Sequence, residues 1–296
     1  MQTDTRAPEK GTATTGTRKQ PKSGGVLNVF SHGFLALWAI MIIVPLAWVV
    51  MTAFKSDDEI FTDPLGLPSQ WHWENFTRAW EKAGIGDYFL NTVLVVGGGV
   101  ALTMLLGSMA AYVLARYEFR LNKFFYLMFV AGMMFPVFLA LVPLYFIVDN
   151  LGLLGTHFGL ILVYTAYSLP FTVFFLAAFF KTLPHGVAEA AMIDGAGHYR
   201  LFFQVMMPMA RSGLVSVAIF NIIGQWNQFL LPQVLMPGEG NNLLADGIAS
   251  VAVSQRYDPD FSGLMASMVI AMIPAFVAYV IFQRQIQAGL TAGAIK

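Results

Sequence analysis

Residues 90–114 read LNTVLVVGGGVALTMLLGSMAAYVL and contain no Asp, Glu, Lys or Arg. An α-helix needs roughly 20 mainly apolar residues to cross the hydrocarbon core of a bilayer, because each residue advances it by only about 1.5 Å. A soluble helix of this length would carry a charged or polar face for water to solvate. This stretch lacks such a face, so it predicts a transmembrane helix.

Five further runs on either side of this stretch share its pattern. They cover residues 30–54, 124–148, 158–180, 214–236 and 264–282, and every Asp, Glu, Lys and Arg of the chain lies outside the six runs. Charged residues make up 11% of the sequence, whereas a soluble domain carries about 25%. Six buried helices of a soluble protein would leave almost nothing for water to solvate. The pattern therefore favours an all-α membrane protein with six transmembrane helices.

The chain begins with a polar segment. Residues 1–25 are rich in Thr, Gly, Lys and Arg and have no apolar block, which is typical of a disordered tail. The first apolar run is longer than the roughly 7 to 15 residues of a signal peptide's apolar region. We therefore expect an uncleaved first span, with residues 26–296 forming the membrane domain.

The positive charges predict the orientation, since cytoplasmic segments of membrane proteins accumulate Lys and Arg. If the N-terminus is inside, the inner segments hold most of these residues, and the outer loops hold only Lys55, Arg78, Lys82 and Arg256. Both termini are therefore predicted to be cytoplasmic. The outer loop of residues 55–89 is long, acidic and rich in Trp; it either receives a partner or places its aromatic rings at the lipid headgroups. The only long inner connection is 181–213.

Proline and glycine recur within the predicted spans. Pro45, Pro136, Pro143, Pro170, Pro232 and Pro274 lie in five of them, and Gly97, Gly98 and Gly99 lie in the remaining one. Such residues kink helices that open and close a pathway, or they allow close packing between helices. The sequence leaves both interpretations open.

Several kinds of chemistry are not indicated. The chain has no Gly-rich loop followed by Lys and Ser or Thr, so we expect no ATP site of its own, and its scattered histidines and absent cysteines predict no metal site. A net charge of +0 argues against a nucleic-acid partner. No span carries the buried charge usual in proton-coupled transporters. No cofactor is expected.

One inner segment carries a specific motif. Residues 184–208 read PHGVAEAAMIDGAGHYRLFFQVMMP. Pro184 suits the first turn of a short helix, and Gly195 permits the positive φ of a sharp turn after it. We expect Pro208 to end a second helix. A short helix with small residues on one side can fit a groove of another protein and transmit motion.

This motif resembles the cytoplasmic loop of ATP-binding-cassette (ABC) importer permeases, in which Glu-Ala-Ala is followed by a Gly and then a Pro. Further resemblance is specific to the maltose-type, binding-protein-dependent carbohydrate permeases and covers nearly everything after the tail. It is carried by residues 54–60 (FKSDDEI), 73–80 (WENFTRAW), 91–92 (NT), 110–116 (AAYVLAR), 189–196 (EAAMIDGA) and 289–296 (GLTAGAIK). Met207 is a mild departure, because Leu often stands there.

The resemblance implies the type I ABC importer permease fold in the bacterial plasma membrane. It implies that the chain forms half of a translocation path, beside a second homologous permease subunit, for a sugar delivered by an extracytoplasmic solute-binding protein. Two separate subunits would bind ATP and Mg and dock on the loop, so the chain itself would not be an enzyme. The residues implied in docking are Glu189, Ala190, Ala191, Asp194, Gly195 and Pro208. The competing classes are a stand-alone secondary transporter or channel and a membrane-embedded enzyme.

The fifth predicted span carries a group of amides and an indole. Asn221, Gln225, Trp226, Asn227 and Gln228 lie close together, and helical spacing would place Asn221, Gln225 and Gln228 on one face. A neutral sugar is bound by hydrogen bonds and stacking faces, so these residues are candidates for the substrate path. Hydrogen bonds between helices are the alternative. In the maltose-type family the partner permease can make most of the ligand contacts.

Overall fold

The computed structural model describes residues 25–238, 240–257 and 259–292, and every regular element in them is a helix. The predicted tail, residues 1–25, lies outside the described residues except for Gly25. The chain divides into two compact units, residues 1–47 and 48–296. The first helix, α1 (Gly25–Thr52), belongs to the first unit as far as Ala47. All the side-chain contacts described below lie in the second unit.

The second unit contains both long and short helices. They are α2 (Asp57–Thr62), α3 (Glu74–Glu81), α4 (Ile85–Arg116), α5 (Asn122–Met134), α6 (Val137–Asn150), α7 (His157–Thr182), α8 (His185–Ile193), α9 (His198–Met209), α10 (Arg211–Trp226), α11 (Leu230–Leu235), α12 (Leu244–Ser254) and α13 (Phe261–Ala292). Among the described residues, four helices are long and apolar enough to cross a membrane, or up to six spans if each of two bent pairs counts as one.

The first bent pair is α5 and α6, which meet at 105° within the predicted run 124–148. Phe135 has an extended backbone with ψ 120°, and Pro136 follows it. A proline lacks the N–H that would continue the helix, and its ring disfavours the helical conformation in the residue before it. The break therefore lies where the sequence places Pro136. Pro45, Pro143, Pro170 and Pro274 lie inside α1, α6, α7 and α13.

The predicted run 214–236 is not one helix. The helix α10 ends at Trp226, and α11 begins at Leu230. In a continuous helix the ring of Pro232 would clash with the carbonyl of Gln228, four residues earlier. The Asn227 Nδ2 atom also donates a hydrogen bond of 2.8 Å to the Ile223 carbonyl, which closes α10. Sequence reasoning noted Pro232 but did not place the break.

The centre of the second unit is the packing of α4 against α7, with α10 beside both. A Cβ atom on Gly107 would lie 2.5 Å from Thr172 Cγ2, and one on Gly98 would lie 2.8 Å from Ile161 Cδ1. Real Cβ atoms do not come this close to other atoms, so these glycines allow the close approach of the two helices. Gly98 and Gly107 therefore serve packing, and α4 continues through its glycines without a break.

Candidate coupling loop and membrane-depth polar cluster

The inner connection 181–213, which the resemblance predicts to dock an ATPase subunit, is called the coupling loop below. It forms two helices with a sharp turn between them, as the sequence predicts. The first is α8, and none of its residues is buried. Its C-terminus has the two hydrogen bonds of a Schellman motif, from Gly195 N to the Met192 carbonyl at 3.0 Å and from Ala196 N to the Ala191 carbonyl at 2.9 Å. Gly195 has φ +80°, which a residue with a Cβ rarely adopts. The sharp turn therefore depends on Gly195.

The two sides of α8 differ in their surroundings. Ala188 and Ala191 pack against a buried apolar cluster that includes Leu201 and Phe202 of α9. On the other side Glu189 and Ala190 are exposed, as are Asp194 and Gly195 after the helix. Ile193 is 85% exposed, which is unusual for an isoleucine. The outer side of α8 thus offers small, acidic and apolar groups to a partner.

The coupling loop is hydrogen-bonded to the end of α4 and packs against residues of α4 and α7. The Arg116 Nη2 atom donates a hydrogen bond of 2.7 Å to the carbonyl of Leu183, the residue before Pro184. The Tyr117 hydroxyl lies 2.9 Å from His198 Nδ1 at the start of α9. Leu201, Phe202 and Met206 are buried in one cluster with residues of α4 and α7. These contacts fix both ends of α8.

Pro208 lies near the end of the second helix of the loop. It is exposed, and α9 ends one residue later at Met209, before a bend of 79° into α10. The segment Leu201–Met206 just before it is π-helical, with Met207 N bonded to the Phe202 carbonyl. Pro208 has no backbone N–H to donate to a carbonyl in the preceding turn, so the regular α-helical hydrogen bonding is interrupted where the wider π-helical turn lies. The coupling loop and α10 are therefore joined by a short bent segment.

The candidate path residues fall into different environments. Asn221 is buried and donates a hydrogen bond of 2.8 Å from Nδ2 to Thr172 Oγ1 of α7. Gln225 is also buried, and its Nε2 donates to Ser168 Oγ of α7 at 3.0 Å. Both side chains thus bond to a neighbouring helix, which is the alternative that the sequence left open.

The other three candidate path residues do not form hydrogen bonds of this kind to α7. The Trp226 indole donates to the Ala271 carbonyl of α13 at 3.2 Å. Asn227 is exposed, and Gln228 follows the end of α10, so helical spacing no longer relates it to Gln225. The expectation of one face shared by Asn221, Gln225 and Gln228 is wrong, because the helix ends at Trp226.

Sequence reasoning missed a polar network on the predicted outer side. Arg78 of α3 pairs with Asp260, the residue before α13, with 2.7 Å between Nε and Oδ2 and 2.8 Å between Nη2 and Oδ1. The spacing of Asn75 and Arg78 places both on one face of α3, and this signal was available in the run 73–80. The partner Asp260, far away in sequence, had no such signal. Among the described residues, no three His, Asp or Glu side chains are grouped as metal ligands.

Comparisons with known proteins agree with this architecture. Residues 103–291 match the family model described as the binding-protein-dependent transport system inner membrane component. The diacetylchitobiose uptake system permease protein of Streptomyces coelicolor is 52% identical over 90% of this chain and 88% of its own length. A probable ABC transporter permease protein of Bacillus subtilis is 35% identical over 89% of this chain and 87% of its own.

A solved structure shows the same fold at low sequence identity. It is a bacterial ABC transporter involved in the import of the acidic polysaccharide alginate, with a TM-score of 0.77 and 19% identity. The match covers 90% of this chain and 98% of that one.

Long apolar helices pack around a buried polar interface and carry an exposed short helix, which is the architecture expected of a membrane permease. The chain belongs to the family of binding-protein-dependent transport system inner membrane components. It is a permease subunit of an ABC importer and a multi-pass protein of the bacterial plasma membrane, so the resemblance seen in the sequence is confirmed.

Proposed function

We propose that this permease forms half of the path of an ABC importer for a sugar or short oligosaccharide. The observation that carries the proposal is the 52% identity with a diacetylchitobiose permease over nearly the whole chain. Diacetylchitobiose is therefore the first substrate to test.

We further propose six spans with both termini in the cytoplasm. Counting α5 with α6 and α9 with α10 as one bent span each gives six, with α9 at the cytoplasmic end of its span. The distribution of Lys and Arg supports this orientation. In this arrangement α8 faces the cytoplasm, and α3 and α12 face outward.

In this proposal α8 is the docking element for an ATPase subunit. Glu189, Ala190 and Asp194 would contact the ATPase, and Gly195 would set the direction in which α8 leaves the loop. ATP and Mg would be bound by two ATPase subunits, a second homologous permease would complete the path, and a solute-binding protein would deliver the sugar from outside. When the ATPases close, α8 would move with them and pull on α10 through the bent segment at Pro208.

The test is to express the chain together with the genes adjacent to its own, purify the complex and reconstitute it in vesicles. We expect ATP-dependent uptake of diacetylchitobiose in the presence of its binding protein. Glu189→Gln and Gly195→Ala should uncouple ATP hydrolysis from sugar transport or release the ATPase subunit, because the first alters the docking helix and the second alters the turn that follows it.

Matched controls are available for both substitutions. Glu118→Gln changes an exposed carboxylate outside α8, and Gly197→Ala changes a glycine with φ −71° and no atom within 4 Å of the added Cβ. Both controls should transport normally. Uptake by the chain without any ATPase subunit would contradict the proposal and favour a stand-alone transporter or channel. Normal coupling in both Glu189→Gln and Gly195→Ala would contradict the role of α8.

A further inference from the structure

A polar network joins three segments on the side of the molecule that carries α3. Its first member is Asn75 of α3, which is 2% exposed. The Asn75 Nδ2 atom donates to the carbonyls of Ala53 at 3.0 Å and Lys55 at 2.9 Å, in the segment that follows α1. The Asn75 Oδ1 atom accepts a hydrogen bond of 3.0 Å from Arg78 Nη2. This amide therefore connects residues 53–55 to the guanidinium of α3.

Arg78 carries the network to the start of α13. Besides its two hydrogen bonds to the Asp260 carboxylate, its Nη2 atom donates to Ser262 Oγ at 2.9 Å. A planar guanidinium bound to a carboxylate by two parallel hydrogen bonds is geometrically specific, and lysine cannot reproduce it. Arg78 and Asp260 are 182 residues apart in sequence, so the pair closes a contact between distant parts of the chain.

The acceptors at the start of α13 have a second role. Asp260 Oδ1 also accepts from the backbone N–H of Gly263 at 2.9 Å, and Asp57 Oδ1 accepts from that of Ser262 at 2.8 Å. Two of the N–H groups that a helix leaves unpaired at its N-terminus are thus bonded to carboxylates. Asp57 is the first residue of α2, so α2 is tied to the same point.

Arg78 and Asp260 carry opposite charges, and their pairing shifts the pKa of each group in the direction that favours its charged form. Partial burial of the Asp260 carboxyl opposes its ionisation, but the hydrogen bonds from Arg78 and Gly263 outweigh burial and lower its pKa below the ordinary value. The hydrogen bond to Asp260 raises the pKa of Arg78. Both groups therefore stay charged at neutral pH.

Small buried residues lie beside this pair. Ala53, Ala79 and Ala266 are fully buried in one cluster, which brings residue 53, α3 and α13 into close contact. The same polar side chains border a cleft of about 760 Å³ between α3 and the end of α12, which is also lined by Lys82, Ser250 and Gln255. A shift of α3 against α13 would change the shape of this cleft.

We propose that Arg78 is a positioning residue that binds residues 53–57, α3 and the start of α13 into one rigid body that stays intact through the transport cycle. The part of this inference that concerns transport rests on the proposed function. The rigid body keeps one wall of the cleft fixed while the helices that reach the coupling loop move. Neither Arg78 nor Asp260 needs to touch the sugar for this role.

The first test uses the absence of cysteine from the chain. A complex in which Ala79→Cys is the single thiol of this chain is treated with a maleimide, with and without ATP and vanadate, and labelling is measured on this chain alone. We expect slow labelling in both conditions, because residue 79 is buried inside the rigid body. Adding Arg78→Gln should speed labelling about tenfold, the order expected for losing a hydrogen bond to a charged group. Labelling that depends on ATP, or that Arg78→Gln leaves unchanged, would overturn the proposal.

The second test measures transport by the reconstituted complex. Arg78→Gln and Asp260→Asn should each reduce the sugar imported per ATP hydrolysed, and the double variant should do no worse than either single one, because the two residues act as one pair. Lys82→Gln is the matched control, since Lys82 is an exposed cation beside the same cleft. A loss of assembled complex with normal coupling in the remainder would indicate a merely structural role and contradict the proposal.

A disulfide cross-link between α3 and α13 distinguishes a rigid body from two elements that move against each other during transport. With Ala79→Cys and Ala266→Cys joined by a disulfide, transport should continue, and the coupling of Arg78→Gln should recover. Arrest of transport by the disulfide would refute the rigid body. If the unmodified complex shows no ATP-dependent uptake at all, the proposed function fails, whereas the maleimide labelling still decides whether Arg78 fixes α3 to α13.

Discussion

At the scale of single residues, glycine decides how closely α4 and α7 approach each other. Gly107→Ala should destabilise the protein by about 1–3 kcal/mol, the usual cost of overpacking, because the new Cβ would lie 2.5 Å from Thr172 Cγ2. Thermal unfolding in detergent measures the effect. Gly97→Ala is the control, since nothing lies within 4 Å of its Cβ. Equal melting temperatures for the two variants would show that the interface adapts.

Asn221 tests whether the amides of α10 join helices or line the path. Asn221→Ala should lower thermal stability, and combining it with Thr172→Ala should add little, because the two side chains share one hydrogen bond of 2.8 Å. Hydrogen bonds between membrane helices contribute about 0.6 kcal/mol on average. Asn150→Ala, at an exposed position at the end of α6, should leave stability unchanged. A loss of sugar uptake in Asn221→Ala with full stability would instead indicate that Asn221 lines the substrate path.

Asp246 in α12 predicts a pH dependence of stability. Burial raises the pKa of Asp246, so the folded state holds its proton more tightly than the unfolded state. Stability should therefore fall as the pH rises from about 4, the ordinary aspartate value, through the raised pKa. Asp246→Asn should melt at a higher temperature than the parent at pH 7 and at the same temperature below pH 4. An equal effect from Asp149→Asn, at an exposed site, would contradict the link to burial.

At the scale of elements, α8 depends on how its two ends are held. Arg116 at the end of α4 donates to the Leu183 carbonyl, and its Nε and Nη1 atoms are buried without a hydrogen-bond partner among the described residues. Arg116→Gln should release the start of α8 and reduce sugar-stimulated ATP hydrolysis, by a factor of about ten if the bond contributes about 1.5 kcal/mol. Arg120→Gln, at an exposed cation nearby, should leave the stimulation unchanged. Unaltered stimulation in Arg116→Gln would contradict this role.

The breaks between elements were only partly predictable. Pro136 breaks one run, whereas Pro170 and Pro274 lie inside unbroken helices. A proline removes one hydrogen bond wherever it stands, and the neighbouring helices decide whether the chain also turns there. The break after Trp226 needs the Asn227 side chain as well as Pro232. Composition alone therefore cannot place it.

At the scale of the whole molecule, the proposed topology can be tested on the cysteine-free chain. A membrane-impermeant maleimide added to intact cells should label Glu81→Cys. It should not label Glu118→Cys until the membrane is permeabilised. Both positions are exposed in the structure, so access to the reagent depends on the side of the membrane. The reverse pattern would invert the orientation and place α8 outside.

The sequence by itself determined the membrane class, the family and the position of the two-helix loop that carries Glu189 and Gly195. Each of these follows from local information, namely long uncharged runs and the spacing of Glu189, Gly195 and Pro208. It also indicated Gly195 as the turn residue, since a positive φ is a property of one residue and its neighbours.

Only the tertiary structure decided what the polar side chains bond to. Asn221 meets Thr172 and Arg78 meets Asp260 across separations of 49 and 182 residues. Such pairs form when helices pack, and a single sequence carries the donors and acceptors without their partners. The structure likewise decided that Gln228 leaves the face of Asn221, because the packing around Asn227 and Pro232 ends the helix first.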